Sequence, residues 1–261
     1  MCFRIAALLC ISYLIDGCSF KEDRGECPCS LRLVIDDACL SGPVDLAWTI
    51  LNADMASVSA YGEIPDAITL DVPRCLADIC VNVSGPGVMN KSGGLDIAAG
   101  DDCPPVFRCR TKVDCRRDYA EGMMDFHKNY AELSCVLEHS GALGPGLEYC
   151  VEGNVCGYDV EGAPVPGPFQ CALKCRKNSS GTMLAEVALP RQTDNSLKLK
   201  VSAPDGELLR EFALGEYIAA SGYDWSAADL EDIVIRINIA STTLSVNILS
   251  GNQEIHLSYR I

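Results

Sequence analysis

Histidine is scarce in this chain: three residues in 261, His127, His139 and His256. None sits in His-Glu-x-x-His spacing, and no Gly-x-Ser-x-Gly elbow lies nearby, which argues against the common zinc-hydrolase and serine-hydrolase layouts. There are two tryptophans, and Trp48 falls on the apolar face of a strand pattern, leaving mainly Trp225 for an exposed sugar-stacking platform. Positive charge is outnumbered, 21 Lys and Arg against 36 Asp and Glu. The resulting net charge of −15 repels phosphate backbones and excludes nucleic acid as a partner. No run reaches the roughly 20 apolar residues of a membrane-crossing helix. Gly85-Pro-Gly87 and Gly144-Pro-Gly146 neither open a helix nor carry the Gly-Lys-Ser/Thr of a phosphate loop, so they read as turns.

What the chain has in excess is cysteine, 16 in all. The N-terminal segment carries Arg4, an apolar run from Ile5 to Ile15, then Asp16-Gly17-Cys18. One early positive charge and a short apolar core before a small residue form a secretory signal rather than a folded helix. Ile15, Gly17 and Cys18 resemble the lipobox of bacterial lipoproteins, with Asp16 departing from the usual small or apolar residue. The resemblance implies cleavage after residue 17, with an S-diacylglycerol and an N-acyl group on Cys18. The competing reading is a plain secretory signal with Cys18 in a disulfide. The charged run Ser19-Phe20-Lys21-Glu22-Asp23 favours the lipid, because it resembles the surface-export signal of Bacteroidota lipoproteins. Each buried methylene contributes about 0.8 kcal/mol, so two or more acyl chains hold a protein firmly to a membrane it does not span.

Thirteen cysteines follow Cys18, from Cys27 to Cys175. The number is odd, so at least one thiol stays free or pairs outside the chain. Export to an oxidising envelope makes disulfides the expected use of the others. Zinc fits less well, because the spacings contain no repeated Cys-x-x-Cys knuckle and no histidine pair. Phe169, Cys171, Leu173 and Cys175 alternate as one face of a strand. Residues four apart on a strand are about 13 Å apart, so if this is one strand Cys171 and Cys175 each find another partner or stay reduced.

The pattern is β throughout. Leu31, Leu33 and Ile35 alternate, as do Val44 to Ile50, Ile68 to Val72 and Ile79 to Val83. Ser84 to Gly87 and Lys91 to Gly94 read as a long flexible connection. Leu133, Cys135 and Leu137 begin a second strand series. Leu197, Leu199 and Val201 precede an Ala203-Pro204-Asp205-Gly206 turn and a hairpin to Ala213. Leu214 to Ala220 reads as a short helix or turn closed by Gly222, with Trp225 to Asp232 re-entering the sheet. Ile233 to Ile239, Leu244 to Ile248 and Ile255 to Ile261 form an antiparallel meander. Asp36-Asp37 and Asp101-Asp102 are paired carboxylates beside turns, where solvated charge is the default.

A distributed resemblance covers most of the mature chain. It runs through the lipobox cysteine, Cys27-Pro28, Leu31 to Ile35, Gly157-Tyr158-Asp159-Val160-Glu161-Gly162, Leu189-Pro190-Arg191, Phe212 to Tyr217 and the closing meander. In these features the chain resembles the fimbrillin-associated anchor lipoproteins of Bacteroidota. The thirteen cysteines and the stretch from Cys75 to Cys115 depart from the family pattern. The resemblance implies an all-β fold of two tandem transthyretin-like antiparallel β-sandwich domains after a lipoprotein signal peptide. Its divisions are 1–17 signal, 18–26 acylated charged tether, 27–117 N-terminal sandwich and 118–261 C-terminal sandwich. It implies a surface-exposed outer-membrane lipoprotein at a fimbrium base, holding fimbrial pilin subunits by strand addition and limiting fimbrial length. The only site residue it names is Cys18; no catalytic, cofactor or metal residue is implied, and no enzymatic activity. A surface glycan-binding lipoprotein built of β-sandwiches is the alternative.

Overall fold

In Cys29–Ile35 (β1) the sequence alternation becomes a strand: Cys29, Leu31, Leu33 and Ile35 are buried while Ser30, Arg32 and Val34 are half-buried. A period of two puts one set of side chains on a core face, and burial of that face holds the strand in register. The computed structural model describes residues 27–35, 41–138, 146–177, 182–238, 243–250 and 253–260, without the side chains of 138, 177 and 238–260. Residues 1–26, Cys18 among them, and the Asp36-Asp37 pair lie outside the described residues.

The strands that follow are β2 (Val44–Ile50), β3 (Met55–Tyr61), β4 (Ala67–Val72), β5 (Leu76–Ser84), β6 (Leu95–Asp96), β7 (Val106–Asp114), β8 (Tyr119–Met124) and β9 (His127–Lys128). The second half holds β10 (Tyr130–Glu138), β11 (Glu148–Tyr158), β12 (Pro164–Ala172), β13 (Lys174–Lys177), β14 (Met183–Pro190), β15 (Lys198–Ser202) and β16 (Leu208–Phe212). After the helix α1 (Leu214–Ala220) come β17 (Ile233–Asn238), β18 (Thr243–Ser250) and β19 (Gln253–Arg260).

These strands form two sandwiches. The first packs a sheet in the order β4-β1-β8 against one in the order β3-β2-β5-β7-β9. The second packs β13-β14-β10-β17-β18-β19 against β12-β11-β15-β16. Both repeat one topology. The opening strand lies between an antiparallel neighbour and a parallel one: β1 between β4 and β8, β10 between β14 and β17. The next two strands form a hairpin on the opposite sheet, β2 with β3 and β11 with β12. The fold is therefore all-β in tandem, as expected, but each sandwich contains one parallel pair where only antiparallel pairing was expected.

The two apolar cores are distinct. Leu31, Leu33, Leu46, Ile50, Ile79, Val81 and Val83 centre the first; Leu133, Leu137, Val151, Leu189, Leu199 and Ile235 centre the second. Each fully buried aliphatic side chain contributes about 1.5 to 3 kcal/mol, so these cores dominate what holds each sandwich together.

Sheet pairing differs from the expected division at 117/118 in two places. Strand β8 pairs with β1, and Ala120, Met124 and Phe126 pack into the first core, so the first sandwich continues past residue 117. In the other direction, Leu95, Ile97, Cys103 and Val106 leave the first half and join the second core. The Ser84 to Gly94 connection leads into this crossover, with β6 paired to β11. Glycine and proline marked the breaks correctly, but the few apolar residues between them were too sparse to show which core they enter.

Three other expectations change. Phe169 to Cys175 is not one strand: the chain leaves β12 at Leu173 and enters the opposite sheet as β13. A corner between layers lets Phe169, Cys171 and Leu173 all face inward while the strand itself ends. Trp225 to Asp232 is a looped segment rather than a returning strand. All twelve described cysteines are free thiols, so the expected disulfides are not present among the described residues. Burial pushes the Cys135 and Cys115 thiols up to about 12 and those of Cys80 and Cys171 up to about 11. They are neutral at physiological pH and pack as small apolar groups.

The hairpin at β15 and β16 and the helix α1 match expectation, with Gly206 and Gly222 at φ of 87° and 81° closing their turns. The terminal meander of β17, β18 and β19 is antiparallel throughout. No helix among the described residues is long and apolar enough to cross a membrane.

Candidate functional site

Two parts of the molecule are candidates for function: the junction between the sandwiches and the open edges of the sheets. The junction is built on Gly157 to Gly162. Asp159 Oδ1 accepts from the Glu161 and Ala163 amides, each at 2.9 Å, folding the segment into a tight turn. That turn presses on the first sandwich. Asn82 Nδ2 donates to Val160 O at 3.0 Å, and Arg110 Nη1 meets Glu161 Oε2 at 3.1 Å. Gly162, at φ 72°, leaves no room for a side chain, since a Cβ there would lie 2.7 Å from Asn82 Oδ1.

Behind the turn sits a buried cation. Arg191 is 6% exposed, and its guanidinium donates to Asn129 Oδ1 at 2.6 Å and to the carbonyls of Trp225, Ala227 and Ala228. Tyr158 accepts from the Arg191 amide at 2.7 Å and donates its hydroxyl to the Asn129 carbonyl. Burial, with the Arg108 charge adding to it, presses the Arg191 pKa below its ordinary value, and burial pushes the Tyr158 phenol well above its own. Carbonyl dipoles satisfy the fork, so this arginine binds the 225–228 loop to the end of β14. The arrangement gathers backbone from four segments.

Sheet edges are the other candidate, because an edge strand presents unpaired backbone groups to any incoming strand. They differ in protection. Strand β12 carries Pro164, Pro166 and Pro168, which remove donors, and β13 reads Lys-Cys-Arg-Lys. Prolines and cationic side chains block pairing at these two edges. Strand β3 at the edge of the first sandwich reads Met-Ala-Ser-Val-Ser-Ala-Tyr, with no charge and no proline, and Ala56 and Ala60 are exposed. The edge of β8 folds against β7, where Val113 Cγ2 would lie 2.6 Å from a Cβ on Gly122. Sequence patterning missed β3 because its small polar and apolar residues make no strong alternation.

The residues singled out in the sequence scatter rather than converge. Asp101 and Asp102 line an open cleft of about 340 Å³ with Asp96, Gly87 and Pro104. Among the described residues no group of three His, Cys, Asp or Glu side chains could hold a metal ion. His127 Nδ1 lies 2.9 Å from Asp229 Oδ2, within hydrogen-bond distance. His139 lies outside the described residues, as does the side chain of His256. Trp48 is half-buried against the first core. Trp225 is half-buried against the second core, and Tyr223 stands edge-on to its ring at 4.8 Å.

The fold defines an all-β protein of two tandem sandwiches. Solved structures similar to it include the fimbrial anchor protein Mfa2 from Porphyromonas gingivalis, with TM-score 0.61 and 12% identity over 89% of this chain and 100% of that one. A candidate polysaccharide-binding protein from Bacteroides thetaiotaomicron gives TM-score 0.62 at 10% identity, over 86% and 100% of the two chains. A candidate adhesin from Bacteroides ovatus gives 0.60 at 10%, over 88% and 96%. At such identities the likeness is one of fold. No protein-family profile matches the chain. In sequence, a stretch of 145 residues is 24% identical to beta-amylase from Glycine max; it is 54% of this chain and spans 29% of the amylase.

Proposed function

We propose that this protein is a non-enzymatic surface lipoprotein that anchors a fimbrium and holds its first pilin subunit by strand addition. The observation that carries the reading is the unprotected edge of β3 on a tandem sandwich whose fold resembles that of a fimbrial anchor over nearly its whole length. In strand addition, main-chain hydrogen bonds supply affinity and alternate side chains set register. A seven-residue edge without charge or proline is suited to that role. The tether carrying Cys18 supplies the attachment, and the acyl groups hold it in the outer membrane. Its surface location follows from the export signal at Ser19 to Asp23.

The test is deletion of the gene in its host, followed by measurement of fimbrial length and shedding. Longer fimbriae released into the medium are expected. Fimbriae of normal length that stay attached would overturn the anchor role.

A glycan-binding reading draws on the polysaccharide-binding neighbour of the same fold. It is the weaker one, because Trp225 and Tyr223 pack on the second core and on each other instead of forming an open aromatic platform.

A further inference from the structure

At one end of the first sandwich three cysteines come together from three separate segments. Cys29 opens β1, Cys75 precedes β5 and Cys115 follows β7. Cys29 and Cys115 are both fully buried in the first core, and Cys75 packs against it. One guanidinium gathers the same three segments. Arg74, beside Cys75, donates through Nε to the Cys27 carbonyl at 2.9 Å and through Nη1 to the Arg116 carbonyl at 3.2 Å, and it pairs with Asp118. Ser30 N also donates to Asp118 O at 2.9 Å, and Cys115 N to Cys75 O at 2.8 Å. The backbones that carry the thiols are therefore fixed in place before any sulfur chemistry occurs.

Within the cluster the thiols are not equivalent. Cys75 Sγ turns toward Asn52 Nδ2, 3.8 Å away, at the more exposed side. Cys29 and Cys115 are both fully buried in one core, to which they come from opposite sheets, and burial raises the Cys115 thiol; Cys75 is only partly buried. Cys29 belongs to the three-stranded sheet, Cys115 to the end of the five-stranded one.

The geometry points to a disulfide between Cys29 and Cys115, formed in an oxidising compartment, that staples the two layers of the first sandwich together. A low-molecular-weight disulfide is the oxidant. One cysteine thiolate displaces a small thiol from it to give a mixed disulfide; the second thiolate attacks the protein sulfur and displaces the other small thiol. Two protein thiols lose two electrons and two protons, and the reagent becomes two thiols. The bond closes the stretch from β1 to the end of β7, a long loop whose unfolded freedom it restricts. Cys75 remains a thiol.

The experiment refolds the reduced full-length chain in a buffer of reduced and oxidised glutathione, blocks remaining thiols in denaturant and maps the peptides by mass spectrometry. A peptide pair joining Cys29 to Cys115 is expected, retained in Cys75→Ser and lost in Cys115→Ala. The melting temperature of the oxidised wild type should exceed that of the reduced protein by roughly 10 °C, and dithiothreitol should reverse the gain. A cross-link joining Cys75 to Cys115, or full alkylation of Cys29 and Cys115 after oxidative refolding, would overturn the assignment. Mapping the wild type decides the matter even if Cys115→Ala folds poorly.

Discussion

Arg191 Nε donates to Asn129 Oδ1 at 2.6 Å, joining the residue after β14 to the residue before β10. The same side chain holds three carbonyls of the 225–228 loop. Replacing it by leucine removes the donor from buried Asn129 and from three part-buried carbonyls, at a cost of about 3 kcal/mol. Thermal unfolding of Arg191→Leu should show the second sandwich melting well below the first. Coincident melting at the wild-type temperature would mean the arginine is ornamental.

Acid should loosen the neighbouring contact. Partial burial pushes the Asp229 carboxyl up, but hydrogen bonds from His127 and from the Lys128 amide, with nearby positive charge, outweigh it and hold its pKa below the usual value. A depressed folded pKa means the stabilisation is present above the unfolded value of about 3.9 and lost as pH falls through the lower folded one. The stability gap between wild type and Asp229→Asn should therefore be constant from about pH 5 to 7 and close below about pH 4. Denaturant melts across that range would read it, and a gap that widens in acid would refute the assignment.

Two glycines with positive φ separate backbone strain from crowding. Gly206→Ala meets nothing within 4 Å and should lose only the left-handed penalty, about 1 kcal/mol. Gly162→Ala adds collision with Asn82 and Arg108 across the junction and should lose at least about 2 kcal/mol. Equal losses in equilibrium unfolding would show that the junction yields freely.

A lysine pair on β3 tests the acceptor edge. Ala56 and Ala60 are exposed, so Ala56→Lys with Ala60→Lys should leave the melting temperature within a degree or so of wild type. Capture of a purified pilin should fall at least about tenfold, because edge lysines oppose strand pairing. Undiminished capture would move the acceptor to another edge.

For the tether, Cys18→Ala should leave the precursor uncleaved or released from the envelope. Fractionation of that variant with the outer membrane, as in the wild type, would remove the lipid anchor from the account.

Alternation at Leu31 to Ile35 and Ile233 to Ile237 made the core strands legible in the sequence, because one buried face imposes a period of two; Val44 to Ile50 alternates too, although β2 is buried on both faces over its first half. Strands β3 and β7 were not legible. The first is an edge of small residues, and the second carries Arg108, Arg110 and Lys112 on a face that meets charged partners rather than water alone. The parallel pairings of β1 with β8 and of β10 with β17 also escaped, since pairing across so many residues leaves no local mark. Cysteine count suggested cross-links without saying where, and only the fold brings Cys29, Cys75 and Cys115 to one end of the first core. The Arg191 cage could not be foreseen: apart from Asn129 Oδ1 its acceptors are main-chain carbonyls, which any sequence would supply.

Each sandwich holds its opening strand between a partner made early and a partner made late. Arg32 on β1 meets Glu121 on β8 across 89 residues, and the amide of Glu132 on β10 reaches Asp232, beside β17, across 100. A chain threaded out N-terminus first thus has β1 and β4 in place while the berth for β8 stands vacant. Such long-range closure is slow, since the entropy of the intervening loop is lost before the contact rewards it. The timing of assembly in both domains is set by the last strand to arrive, and until then each half-built sheet exposes a backbone edge that some other strand can occupy.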